Sequence, residues 1–307
     1  MTYAERARLR ETSIIVAVFA IPAILLFPGI HLNTPFTASL RSTCIRFTTA
    51  PWTTSPGLFS FDDIPLRLTI DDFERMELSD PSHRSVFKSG TPVKLEGVRL
   101  TKLDMSQPLR VFLEAGADGG VNLTLERLRT SPNDLALVRV DAESKLPSDM
   151  PACGSKWSCE WAVYSKGNGL RLTLRPIKGT LRVESNIPLL DGTAITFTRD
   201  NGQSAIVAPA SAQLTAMDRK LSLRQPVAFG GLKATFIESL APDGAGIKLA
   251  INQGSSDLIL MGESNEAATL AEFIAGHRSF SAYLSMVALI GSTVLTILTR
   301  LKLLKKA

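Results

Sequence analysis

Leu66-Arg67-Leu68-Thr69-Ile70 alternates apolar and polar residues without a break. Successive side chains of an extended chain point to opposite faces, so this run reads as a strand with one face buried and one wet. The same period of two governs most of Val93-Lys94-Leu95-Glu96-Gly97-Val98-Arg99-Leu100, Leu170-Arg171-Leu172-Thr173-Leu174 and Leu181-Arg182-Val183. Half-buried strands of this kind belong to antiparallel sheets. Turn formers punctuate them at Gly116–Gly120, Gly167–Gly169, Asp200–Gly202 and Pro242–Gly246. No convincing 3.6-residue period of helical length precedes Glu263. The expected fold is mainly β: an antiparallel sandwich or barrel of about ten or more strands, filling residues 58–262. Within it, Pro147–Trp161 reads as an insertion or a boundary between two β lobes. Residues 31–57, rich in Thr, Ser and Pro, read as an extended linker.

Outward from this segment lie two apolar stretches, Ser13–Ile30 and Ser281–Thr299, of 18 and 19 residues without a charge. A helix needs about 20 apolar residues to cross a bilayer, so both are candidate membrane spans. Arg6, Arg8 and Arg10 flank the first on its outer side. Arg300, Lys302, Lys305 and Lys306 flank the second. Basic flanks stay cytoplasmic. Both tails, 1–12 and 300–307, are therefore expected in the cytoplasm, and the β-domain beyond the inner membrane. Pro22 lies within the first stretch, which reads either as a signal anchor or as a cleaved signal peptide. No A-x-A site follows it.

Charge agrees with this arrangement. The chain has 34 Lys+Arg and 29 Asp+Glu, and removing the two tails leaves 27 of each. The exported segment is neutral, so a nucleic-acid partner has no electrostatic footprint here. The expected partners are the membrane, other membrane protein subunits or further copies of this chain.

Chemistry-bearing motifs are few. The chain lacks G-x-S-x-G, H-E-x-x-H, a phosphate loop and a dinucleotide fingerprint, so no enzyme is expected. Asp62-Asp63 and Asp71-Asp72 read as solvated turn residues rather than calcium ligands. Cys153 and Cys159 bracket Gly-Ser-Lys-Trp-Ser, and an exported domain favours a disulfide between them. Cys44 is left over as a buried thiol. The three histidines are His31, His83 and His277. His31 follows the first span and His277 precedes the second. They read as interfacial polar residues, or, in the sharper reading, as two imidazole ligands to a haem iron. No other cofactor is expected. In the second span Ser281, Ser285, Ala288, Ser292 and Thr296 recur every three or four residues. Such a small, hydroxyl-bearing stripe lets a neighbouring helix approach closely. Before this span, residues 263–280 read as a helical stalk, with Ser264 as N-cap and Glu266 in the first turn.

Three stretches carry a resemblance. They are Ile64-Pro65-Leu66-Arg67-Leu68-Thr69-Ile70-Asp71-Asp72-Phe73, then Lys178 to Gly192 with Asn186-Ile187-Pro188 followed by Asp200-Asn201-Gly202-Gln203-Ser204, and finally Gly231–Phe236, Gly246-Ile247 and Leu258–Gly262. Together and in this order they resemble the periplasmic β-domain of the ResB family of cytochrome c maturation proteins. The resemblance covers about half of the exported segment on motif grounds, and it implies a scaffold for cytochrome c maturation. The chain departs from that family in having one span before the domain rather than several, and in lacking a His between Asn186 and Pro188. Two function classes follow: an assembly or scaffold module at the outer face of the membrane, or an anchored subunit of an envelope secretion, export or polysaccharide machine.

Overall fold

The computed structural model describes residues 31–51, 59–79, 86–88, 90–116, 118–128, 135–145, 150, 153–154, 156–165, 169–215, 218–223, 226–243, 246–270, 272, 285 and 292. Both apolar stretches lie outside these residues, apart from Ser285 and Ser292. No helix among the described residues is long and apolar enough to cross a membrane. The chain divides into two compact units. Asn33–Glu266 is the β-unit, and the second joins Met1–Leu32 with Ala267–Ala307.

The β-unit contains β1 (Thr34–Ser42), β2 (Cys44–Thr48), β3 (Phe59–Phe61), β4 (Leu66–Asp71), β5 (Arg75–Leu78), β6 (Val86–Lys88), β7 (Val93–Asp104), β8 (Leu109–Ala115), β9 (Val121–Arg127), β10 (Val138–Glu143) and β11 (Ser158–Tyr164). It continues with β12 (Leu170–Pro176), β13 (Val183–Pro188), β14 (Ile195–Thr196), β15 (Ile206–Leu214), β16 (Arg219–Ser222), β17 (Val227–Gly230), β18 (Phe236–Asp243), β19 (Gly246–Ser256), β20 (Leu258–Met261) and β21 (Ser264–Asn265). Among the described residues all pairings are antiparallel and join into one hydrogen-bonded network of 21 strands, so the fold is mainly β. The network consists of two ladders. The first runs β16-β15-β1-β19-β18-β13-β3-β7-β10-β11-β5-β6. The second runs β21-β20-β17-β14-β2-β8-β9-β12-β4-β7.

Among the described residues three of the crossings between the ladders are made within a strand or through a single residue. Within β7, Val93–Val98 pairs with β4 in the second ladder, and Arg99–Asp104 pairs with β10 in the first. The pairing skips Gly97, whose φ is 71°. That bulge bends the strand, and glycine enters the left-handed region without a Cβ penalty. The other two crossings are β1 to β2 through Thr43 and β19 to β20 through Asp257. Each has a buried serine at its inner side. Ser42 Oγ donates toward the Cys44 and Ala205 carbonyls, and Ser256 Oγ toward the Gly230 and Leu258 carbonyls. These hydroxyls add local hydrogen bonds where the chain changes ladders.

The alternating burial read from sequence is present in β4 and β12, both with buried leucines between exposed or half-buried polar residues. The inward rows of the two ladders meet. Phe36 of β1 stacks on Phe229 of β17 with centroids 4.6 Å apart and planes at 6°, and Phe197 meets Phe229 edge-on at 6.2 Å. All three rings are fully buried. Further along, Phe59, Leu103, Val183 and Leu240 face Leu113 and Leu123 around a residual void of about 20 Å³. Each fully buried Leu or Phe contributes about 1.5–3 kcal/mol by leaving water.

Three expectations need correction. Residues 31–57 are not simply a linker, because β1 lies between β15 and β19 and β2 between β14 and β8. Phe36, Ala38 and Leu40 alternate with Thr37, Ser39 and Arg41, and the Thr- and Ser-rich composition masked that period of two. Pro147–Trp161 is not a boundary between lobes, because the strands on either side of it, β10 and β11, pair directly from Val138↔Val163 to Glu143↔Ser158. Ser264 does not cap a helix, because it lies in β21, paired with Met261. The helix start is Thr269. Glu272 N–H donates to Thr269 Oγ1 at 3.2 Å, and Thr269 N–H donates to Glu272 Oε2 at 2.9 Å, a reciprocal capping box.

Candidate functional site

His31 lies in the smaller unit, where it forms an isolated antiparallel bridge with Thr269. Its Nδ1–H donates to the Ala267 carbonyl at 3.0 Å, and Leu32 N–H donates to the Ala268 carbonyl at 2.9 Å. A carbonyl only accepts, so this bond fixes the proton on Nδ1. His83 and His277 lie outside the described residues, as do Ala288 and Thr296 of the small-residue stripe. Ser285 and Ser292 are helical and exposed.

The paired aspartates serve turns. Arg99 donates to Asp63 at 2.7 Å. Asp72 takes a positive φ of 60°, and its N–H donates to Asp71 Oδ1 at 2.9 Å. Among the described residues no group of three or more His, Cys, Asp or Glu is placed to hold a metal. Cys44 is buried in β2, with its sulfur 3.1 Å from the Thr198 carbonyl. Burial pushes its thiol pKa up, against the opposing pull of Arg46, which disfavours the reactive thiolate.

Cys153 and Cys159 are joined, with Cα atoms 6.1 Å apart. The bond ties the segment between β10 and β11 back onto β11. In the same segment Cys153 N–H donates to the Met150 carbonyl at 2.9 Å, and Ser144 N–H to the Trp157 carbonyl at 2.8 Å. Met150 is thereby held against the sheet and is 1 % exposed.

Met150 forms one wall of a cleft of about 530 Å³. The far strands of the first ladder supply Met76 from β5, Phe87 from β6 and Trp161 from β11, and the start of β7 supplies Val93 and Leu95. The volume lies in the range of about 300–1,000 Å³ usual for small-molecule sites. Trp161 and Met76 are 1 % and 0 % exposed, whereas Val86 at the rim is 51 % exposed. Phe87 and Trp161 meet at 5.6 Å between ring centroids. Trp161 Nε1 is buried without a hydrogen-bond partner among the described residues. Lys88 and Lys94 also line the cleft, and both are exposed.

A second cleft, of about 550 Å³, opens on the polar face of β2, β8, β9, β12 and β14. Here two of the arginines stand beside carboxylates. Arg46 pairs with Asp200 and lies 4.7 Å above the Phe112 ring, while Arg171 stands 3.9 Å from Asp72. Arg110 and Glu126 complete its charged lining.

The Trp161 cleft escaped the sequence reading. Trp161 reads there as the end of an insertion or lobe boundary, Pro147–Trp161, and not as part of a site. No family model, curated protein or solved structure matches the chain.

Proposed function

We propose that this chain is a non-enzymatic, two-pass protein of the inner (cytoplasmic) membrane. In this reading Ser13–Ile30 and Ser281–Thr299 cross the bilayer, both basic tails are cytoplasmic, and a sandwich- or barrel-like β-domain stands on the outer face. The domain acts as an assembly or binding module for other membrane proteins. The observation that supports the hairpin is the bridge between His31 and Thr269, with Leu32 N–H on the Ala268 carbonyl at 2.9 Å. A chain that leaves and re-enters one membrane has its outgoing and returning segments on the same side, and a direct bridge between them agrees with that arrangement. His31 directly follows the first apolar stretch, and Thr269 lies twelve residues before the second. Basic residues on the far ends of both stretches give the same orientation. A scaffold for cytochrome c maturation is the narrower form of this proposal and rests on the ResB-like motifs.

Site-specific labelling tests the topology. Thr2→Cys and the exposed Ser106→Cys are treated in intact cells with a membrane-impermeant maleimide. Labelling at position 106 alone is expected. Equal labelling of both positions, or of neither, would remove the hairpin. Purification from the native membrane, followed by identification of the associated subunits, separates the scaffold from an export-machine component. A Soret band in that preparation is the outcome expected for the ResB-like form.

A further inference from the structure

We propose that the Trp161 cleft binds a single-chain amphiphile with an anionic head group, such as a fatty acid. Its wall is apolar and adaptable: Met76, Met150, Phe87 and Leu95 meet around a volume of about 530 Å³. Methionines fit irregular hydrocarbon because their side chains are flexible and polarizable. The site is wider than the packing gap between the ladders, which is only about 20 Å³.

Two observations specify the head group. Trp161 lines this cleft, and its indole Nε1–H is buried and has no partner among the described residues. A buried donor without an acceptor is an uncommon and costly arrangement, and a carboxylate or phosphate oxygen would answer it. Lys88 and Lys94 are the charged residues in the lining, and no carboxylate stands among the described lining residues. Neither lysine makes an ion pair among the described residues, so the positive charge is available to an anion. The Arg46 cleft differs on this point, because its lining includes Glu126 and Asp200. A peptide strand added along β6 is a poorer fit, because β6 offers only the three residues Val86–Lys88 as a rail. The inference stands on the lining alone and does not depend on the membrane topology.

The test uses the full chain in phosphatidylcholine nanodiscs with a diazirine-bearing laurate, and cross-linked peptides are mapped by mass spectrometry. Adducts are expected in 86–95 and 150–161 and should be displaced by excess laurate. Lys88→Gln combined with Lys94→Gln should lower the yield at these peptides at least fivefold. Trp161→Phe, which keeps the ring and removes the donor, should do the same. Val86→Glu changes a rim residue that is half exposed, leaves the core untouched, and should repel the anion. Adducts confined to 13–30 and 281–299 would mean bilayer partition only and would overturn the proposal. So would equal labelling by the matching alkyl alcohol, or an undiminished yield in the double lysine variant.

Discussion

Two aromatic clusters lie within the same β-unit and have opposite characters. Phe36, Phe197 and Phe229 are closed on all sides and carry no polar atom. Trp161 and Phe87 also touch, but they border an open cleft, and the buried indole nitrogen has no partner among the described residues. The first cluster joins the two ladders. The second stands near the end of one ladder, where β6 is the last strand among the described residues. Burial alone therefore does not separate structural from functional aromatics. The separating feature is whether the polar atoms are answered and whether the surrounding space is filled.

Replacing Phe36 with Ala should have the largest effect on this contrast. It removes a ring stacked across the ladders and leaves a closed cavity, at a cost of about 3–5 kcal/mol. Chemical denaturation followed by circular dichroism measures the loss. A cost near 1 kcal/mol would mean that the ladders are not held together there.

Opening the Cys153–Cys159 ring comes next. The double variant Cys153→Ser with Cys159→Ser should lower stability by about 2 kcal/mol, as expected for a short closed loop. It should also free the Met150 wall, seen as faster amide exchange at Met150 and Cys153. Unchanged exchange there would show that the bond does not position the cleft.

Trp161→Phe should cost less than either of these, within about 1 kcal/mol. The lost indole volume is partly offset by removing a buried unpaired donor. The same substitution inside a filled core would cost more, so a thermal melt of this variant sharpens the comparison directly.

The smallest effect concerns Asp141, on the opposite face of β10 from Val140, which pairs with Trp161. Burial raises its carboxyl pKa, while Lys102, 3.5 Å away, pulls in the other direction without cancelling the rise. The folded state therefore holds this proton more tightly than the unfolded chain does. Stability from this group is present below the unfolded pKa and declines as pH rises through the folded one. Asp141→Asn should raise the Tm slightly at pH 7 and leave it unchanged at pH 3. A fall at pH 7 would show that the Lys102 pair outweighs burial.

Much of the sheet was legible in the chain. In Leu66–Asp71 and Leu170–Pro176 every second residue is apolar, and a strand buried on one face has that same period. The Thr34–Ser42 strand was missed because Pro35, Thr37, Ser39 and Arg41 fill its outward positions and a linker has similar composition. The capping box at Thr269 and Glu272 is written in the sequence as T-x-x-E, but Ser264 and Glu266 offered a competing start. The hydrogen bonds of β21 removed that alternative.

By itself the sequence determined the β class, the apolar stretches at either end with their basic flanks, and the spacing of the two cysteines. Each of these depends on neighbours a few residues apart along the chain. Only the tertiary structure decided that β7 serves both ladders, that His31 meets Thr269, and that Trp161 borders an open cleft without a partner for its nitrogen. Those outcomes depend on which distant segments fill the space around a side chain. Alternation along one strand specifies which way a residue points, but not what it meets there.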